Sequence, residues 1–186
     1  IDTRWAWTAD EVRKFENTED YRQMMTDVGK VQAAFAEMNP GYTLRVNTKV
    51  RTLNQQLGKW NVNPSVELAS EGMLNAVRKE LAGNAYSEKP TAAAAETFAR
   101  FVRSFVPRPQ PTVAAPGLSP HGRLKAFDFI VEKDGKVVAG ASSASAKPVW
   151  DDGGWTTKLN RAVLQSTNRF VGPLRFPYEP WHYNYQ

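Results

Sequence analysis

The chain of 186 residues holds two histidines, and each stands in a string of polar and aromatic residues with the company a metal ion needs. The first string is Ser119-Pro120-His121-Gly122-Arg123-Leu124-Lys125-Ala126-Phe127-Asp128, and the second is Glu179-Pro180-Trp181-His182-Tyr183. The imidazoles of His121 and His182 with the carboxylate of Asp128 make three protein ligands. Zinc held by three such ligands keeps a fourth tetrahedral position for water, the arrangement that separates catalytic from structural sites. Glu179 is a further carboxylate beside one of the ligands. With no cysteine in the chain, thiolate ligands and disulfides are excluded and the redox compartment is left open.

The elements that must position these groups can be read locally. Phe127, Phe129 and Val131 alternate with Ala126, Asp128 and Ile130, so Asp128 projects from one face of a predicted strand while the phenylalanines anchor the other face in the core. Ala126, on the same face as Asp128, is small enough to leave room for an imidazole and an ion. His121 lies between Pro120 and Gly122, where a loop can bring it back over the strand. An ideal strand would set Glu179 and His182 on opposite faces, but Pro180 argues for a bulge or bend there.

Around this region the pattern is mostly helical on the amino-terminal side. Thr8 and Glu11 form a capping-box signature, and Thr18 leads into Met24, Val28, Val31 and Phe35 at helical spacing. Asn39-Pro40-Gly41 stops that helix, and alternation from Tyr42 predicts a strand running toward Arg51. Helices are expected over Leu53 to Trp60, over Val66 to Leu81 with Leu74, Val77 and Leu81 on its apolar stripe and Gly83 just past its end, and over Ala92 to Phe105. Five prolines between Val106 and Pro120 make an extended, stiff connection. Asp134-Gly135 between two apolar runs is a strong hairpin signal, Ala141 to Ala146 reads as a surface loop, and a helix follows from Trp155 to Phe170. The expected fold class is α+β: a small antiparallel sheet carries the zinc ligands and packs against helices, with additional amino-terminal helices. Residues 1–40 are expected as a helical extension and 41–186 as the zinc-bearing domain, with a helical insertion over about 65–105.

With an apolar share of 41% and no long apolar run, the composition indicates neither disorder nor a membrane span. Lys and Arg number 24 against 19 Asp and Glu, so a net charge of +5 favours a polyanionic partner such as nucleic acid, acidic lipid or an anionic cell wall, and the sign alone does not choose among them. The basic residues are scattered without a run, so no nucleic-acid partner is expected. A start at Ile1 implies removal of an initiator segment, with any export signal lost alongside it.

The two strings resemble the signatures of the zinc D-alanyl-D-alanine carboxypeptidases and related endopeptidases of the vancomycin-resistance type, whose fold also includes the amino-terminal hedgehog domain. Their first signature, S-x-H-x-x-G-x-A-x-D, is met by Ser119, His121, Ala126 and Asp128, with Leu124 in place of the glycine. Glu179, Trp181 and His182 meet the second, E-x-W-H, and Pro180 and Tyr183 complete an E-P-W-H-Y string like that of the carboxypeptidase branch. Upstream, Val50-Arg51-Thr52 with Gln55 and Gln56 is similar to the Y-R-S segment and following glutamine, Val replacing Tyr.

This resemblance implies that His121, Asp128 and His182 bind Zn2+ and that Glu179 takes a proton from water and later hands it to the departing amine. It implies that Arg51 neutralises an oxyanion or holds the substrate carbonyl, and that Ser119 hydrogen-bonds substrate. Arg123 is a candidate for the substrate's terminal carboxylate, with a solvated surface arginine as its alternative. Trp181, with Tyr178, Tyr183 and Tyr185, is assigned to core and cleft wall, where rings can receive a glycan or peptide stem. Leu124 falls where φ > 0 would strain a leucine, and Gly122 is expected to supply the flexibility instead. The expected function is hydrolysis of a peptide bond in peptidoglycan stems, in a periplasmic or secreted setting. A wall-binding or partner-binding module that keeps the metal without turnover, and a toxin or lysin with the same chemistry, are the alternatives.

Overall fold

The computed structural model of the chain describes residues 6–84 and 86–186, so that residues 1–5 of the expected amino-terminal extension lie outside the described residues. Helix α1 (Ala9–Glu16) begins at a reciprocal cap in which the Thr8 side chain accepts from Glu11 N–H and the Glu11 carboxylate accepts from Thr8 N–H. Helix α2 (Glu19–Met38) starts at Thr18, whose hydroxyl accepts from Tyr21 N–H, and buries Met24, Val28, Val31 and Phe35 along one stripe. It stops at Asn39, and Gly41 at φ 85° turns the chain into a strand.

The architecture is α+β. Strands β1 (Thr43–Val46), β2 (Ala126–Lys133), β3 (Lys136–Ala139), β4 (Phe170–Val171) and β5 (His182–Tyr185) form one antiparallel sheet in the order β1-β2-β5-β4, with β3 also pairing β2. The β2–β3 turn holds Asp134 at φ 51° and Gly135 at φ 72°, the double positive φ that a two-residue hairpin requires. Helix α2 packs against β1 and against a later helix, Trp155–Ser166. Between these helices and the sheet lies the core, which includes Phe127, Phe129, Val131, Leu159, Val163, Phe170 and Tyr183. Its aromatic rings meet mostly edge to face, as with Phe127 and Phe129 against Phe170.

Two expectations fail in this part of the chain. The helix expected to reach Phe170 ends at Ser166, because Thr167 is extended and Phe170 enters the core from β4, opposite Tyr185. Apolar spacing shows that Phe170 faces inward without showing which element carries it. The expected surface loop at Ala141 to Ala146 is a 3₁₀ turn, Ser143–Ser145, running into a π-helical segment, Ala146–Asp151. Trp150 anchors that segment, fully buried and donating from Nε1 to Gly140 O at 2.9 Å.

The chain divides into two compact units, one formed by the residues up to Gln56 with Ala115–Gln186 and the other by Leu57–Ala114. Helix α3 is Leu53–Asn61. Within the second unit, Asn63 caps α4 (Pro64–Gly83), and Thr91 caps α5 (Ala92–Ser104). Thr112 N–H donates to Ser65 Oγ at 2.9 Å and ties the end of this unit to the start of α4. Gly83 is the last residue of α4, with Asn84 as its cap, rather than the residue past its end. Leu74 and Leu81 of the expected apolar stripe are exposed, while α4 buries Val66 and Ala69. The remaining helix, α6, is Trp155–Ser166. No helix among the described residues is long and apolar enough to cross a membrane.

Candidate metal centre

Strand alternation builds the site from the sheet outward. Phe127, Phe129 and Val131 are fully buried on one face of β2, which leaves Asp128 to project from the other. β5 lies antiparallel beside it in a register that sets His182 directly opposite Asp128 and Asn184 opposite Ala126. Direct opposition in a ladder brings side chains within contact distance, and His182 Nδ1 lies 3.1 Å from Asp128 Oδ1.

His121 comes from a 3₁₀ turn, Pro120–Arg123, whose ends are held by Gly122 N–H to Ser119 O at 2.9 Å and Lys125 N–H to Pro120 O at 3.1 Å. Its Nε2 stands 3.2 Å from His182 Nδ1 and 3.5 Å from Asp128 Oδ1. The turn is also pinned from outside, since Arg51 N–H donates to His121 O at 3.0 Å and Trp7 N–H to Gly122 O at 2.7 Å. Gln56, buried, donates to Arg51 O and accepts from Gly117 N–H, so one amide ties the segment before α3 to the approach to Ser119.

The left-handed position in this loop is Leu124 itself, at φ 52° and ψ 32°, and the residue is 2% exposed. Gly122 is needed for a different reason than the flexibility expected of it. A Cβ there would come within 2.9 Å of Gln56 Nε2 and 3.1 Å of Ala6 Cα, so a side chain would displace the segments packed on the turn.

Glu179 pairs in an isolated bridge with Leu174, and His182 N–H donates to Glu179 O at 3.1 Å. The turn so formed around Pro180 places Glu179 Oε2 3.6 Å from His182 Nδ1, although the two residues are three apart in sequence. An Arg51 guanidinium nitrogen lies 3.6 Å from Asp128 Oδ2. Ser119 is buried at the start of the 3₁₀ turn and makes no side-chain cap bond, and Arg123 is half-buried at its end. Trp181 is buried against Trp150, and Tyr183 and Tyr185 belong to the core face of β5. Tyr178 is exposed, its hydroxyl donating to Asp151 at 2.7 Å.

The three candidate ligand atoms all lie within 4.8 Å of one another, close enough to hold a metal ion. Burial pushes both imidazoles toward the neutral form. In His121 burial prevails and the pKa lies below the ordinary histidine value, despite Asp128. In His182 the hydrogen bond and charge of Asp128, joined by the charge of Glu179, outweigh burial and raise it. Burial opposes ionisation of Asp128 as well, but hydrogen bonds from the two imidazoles hold its carboxyl well below the usual carboxylate range. An ionised carboxylate and a neutral imidazole are the forms that bind metal. Asp128 and His121 are shifted toward those forms, whereas on His182 a metal ion would have to displace the proton that Asp128 and Glu179 favour.

Sequence reading did not single out Asn184. Its Oδ1 lies 3.3 Å from the outer nitrogen of His182, Nε2. The period of two along β5 was the available signal, because it puts Asn184 on the same face as His182. The chain matches no family model, no curated protein and no solved structure in comparisons with known proteins.

Proposed function

We propose that this protein is a zinc-dependent peptidase acting on the stem peptide of peptidoglycan. The observation that carries the proposal is the convergence of His121, Asp128 and His182 with a carboxylate, Glu179, and a guanidinium, Arg51, at its border. Ligands about 2.0–2.1 Å from a tetrahedral zinc ion stand about 3.3–3.4 Å from one another. The three separations here are 3.1, 3.2 and 3.5 Å, so the donor set fits that ion in spacing as well as in chemistry. Two imidazoles, one carboxylate and no thiolate are also the ligand types that leave zinc open to a substrate.

Bound zinc supplies Lewis acidity, which polarises a carbonyl and lowers the pKa of water toward about 7. Everything else falls to the side chains. Glu179 accepts the proton of the attacking water and delivers it to the amine nitrogen as the C–N bond breaks. Arg51 offers fixed N–H donors to the carbonyl oxygen as it gains charge, which stabilises the transition state more than the ground state. Asp128 and the 3₁₀ turn keep His121 and His182 from drifting during the reaction. The peptidoglycan assignment rests on the resemblance of the Ser119–Asp128 and Glu179–Tyr183 strings, and the positive net charge suits an anionic wall. A module that only bound metal and wall would have no use for a proton acceptor at Glu179.

The deciding experiment incubates the zinc-loaded protein with defined muropeptides and identifies products by mass. Loss of a terminal D-Ala identifies a carboxypeptidase, and an internal cut identifies an endopeptidase. Glu179→Ala should keep about one zinc per chain and lose hydrolysis by at least about a hundredfold. Failure of the zinc-loaded parent to cut any stem peptide would overturn the assignment.

A further inference from the structure

An imidazole that binds metal through one nitrogen has its hydrogen on the other, and that hydrogen needs an acceptor. In His182 the inward nitrogen is Nδ1, which faces both Asp128 Oδ1 and His121 Nε2. The hydrogen must then lie on Nε2. His182 is only 5% exposed, so water is a poor acceptor for it. Asn184 Oδ1, at 3.3 Å, is the hydrogen-bond partner that the structure gives Nε2 among the described residues.

We infer that Asn184 is a positioning residue for the metal centre: its amide oxygen accepts the Nε2 hydrogen of His182 and so holds the ring with Nδ1 toward the metal. This inference rests on the metal reading of the site. Three local features support it. Asn184 follows His182 on the same face of β5, so the pair is set by strand geometry rather than by a loop. Ala126, opposite Asn184 in the ladder, has only a methyl group and leaves space for the amide beside the ring. The acceptor also answers a competition inside the site. Asp128 Oδ1 lies 3.1 Å from Nδ1 and would otherwise draw the ring's hydrogen to the nitrogen that has to be bare. An oxygen at Nε2 stabilises the opposite tautomer.

The test is zinc affinity, measured by competition against a chelator at constant pH, for the parent, Asn184→Leu and Asn184→Asp. Leucine keeps the bulk without an acceptor, and aspartate keeps the acceptor. Asn184→Leu should bind zinc roughly 10–100-fold more weakly, the usual effect of losing a partner behind a metal-bound histidine, while Asn184→Asp should match or exceed the parent. Nitrogen-15 NMR of the zinc-loaded parent should show His182 with its hydrogen on Nε2. That measurement also decides the matter should Asn184→Leu fail to fold: a ring turned over, with Nε2 on zinc and the hydrogen on Nδ1, overturns the assignment. Zinc binding by Asn184→Leu at the parent's affinity overturns it alone and leaves the peptidase reading standing. Absence of zinc uptake by the parent removes the metal reading and this inference together.

Discussion

Leu124 offers a test of the loop geometry that does not depend on any activity. An L-residue in the left-handed region is destabilised by about 1–2 kcal/mol, and Leu124 sits there at φ 52° and ψ 32°. Its side chain is 2% exposed and belongs to the core cluster, so packing compensates the strained backbone. Truncating a buried leucine to alanine costs about 2–5 kcal/mol, and Leu124→Ala should fall in that range because alanine keeps the backbone strain and loses the packing. Glycine loses the same packing but is released from the strain, and about 0.5–1 kcal/mol of that release is offset by the greater freedom of glycine in the unfolded chain. The expected order is therefore Leu, then Gly, then Ala, with Gly about 0.5–1 kcal/mol above Ala, the reverse of their order at negative φ. Urea unfolding of the three proteins, compared at a common slope, measures these differences. An alanine variant as stable as the glycine variant would refute the left-handed assignment, and a glycine variant more stable than the parent would refute the packing. Zinc uptake should be unchanged in both, since Leu124 supplies no ligand atom.

Two further outcomes follow from side chains around the site and in the core. Arg51→Ala should retain zinc and fold, because the backbone bonds to His121 and Gln56 remain, yet lose about 2–4 kcal/mol of transition-state stabilisation. Arg51→Lys should not rescue it, since lysine lacks the planar fork; parent-rate turnover in Arg51→Ala would refute the role. Asp27 is 2% exposed and accepts from Gln23, Lys30 and Tyr185. Burial would raise its pKa, but hydrogen bonds from Lys30, Tyr185 and Gln23 lower it overall. A lowered folded pKa means that the stabilisation is complete above the unfolded carboxyl value of about 3.9 and is lost as pH falls through the folded value. Asp27→Asn should lose about 1–3 kcal/mol at pH 7, discounted because Lys30 and Arg169 are half exposed, and the gap to the parent should close below about pH 4. Thermal unfolding from pH 3 to 7 measures this, and a gap independent of pH would refute the ionic origin.

Local rules were enough for several elements because each had one physical solution. Asp134-Gly135 requires two positive φ angles, and only a tight hairpin supplies them next to alternating apolar residues. Thr8 with Glu11, and Thr18 before a periodic run, fix helix starts by satisfying orphan N–H groups. Long-range facts were not legible. The spacing of Leu74, Val77 and Leu81 gives a helix an apolar face but does not say whether anything covers it, and in α4 both leucines are exposed. The π-helical segment from Ala146 left no mark because its anchor, Trp150, is fixed by the distant Gly140 carbonyl and Trp181 ring. Leu124 showed the need for a left-handed residue, yet the sequence pointed to Gly122, because packing of Ala6 and Gln56 on that glycine is a tertiary fact.

The candidate ligands differ in how they are held, and that difference follows from the same alternation that builds the core. Asp128 and His182 are neighbours across a ladder whose opposite face carries Phe127, Phe129, Tyr183 and Tyr185, so moving either ligand would disturb fully packed rings. His121 has no such backing. Its position depends on backbone bonds from Arg51 and Gly122, on the close approach of Gln56, and on a leucine held at positive φ. A sheet pair fixes two ligands to the precision of strand register, and a strained, multiply tethered turn brings up the third. Arg51 holds that turn through its N–H while its guanidinium reaches Asp128, so the residue proposed to stabilise the reacting carbonyl also belongs to the scaffold that places a ligand. The backbone part of that role survives any substitution except proline, which is why side-chain replacements at Arg51 separate chemistry from assembly.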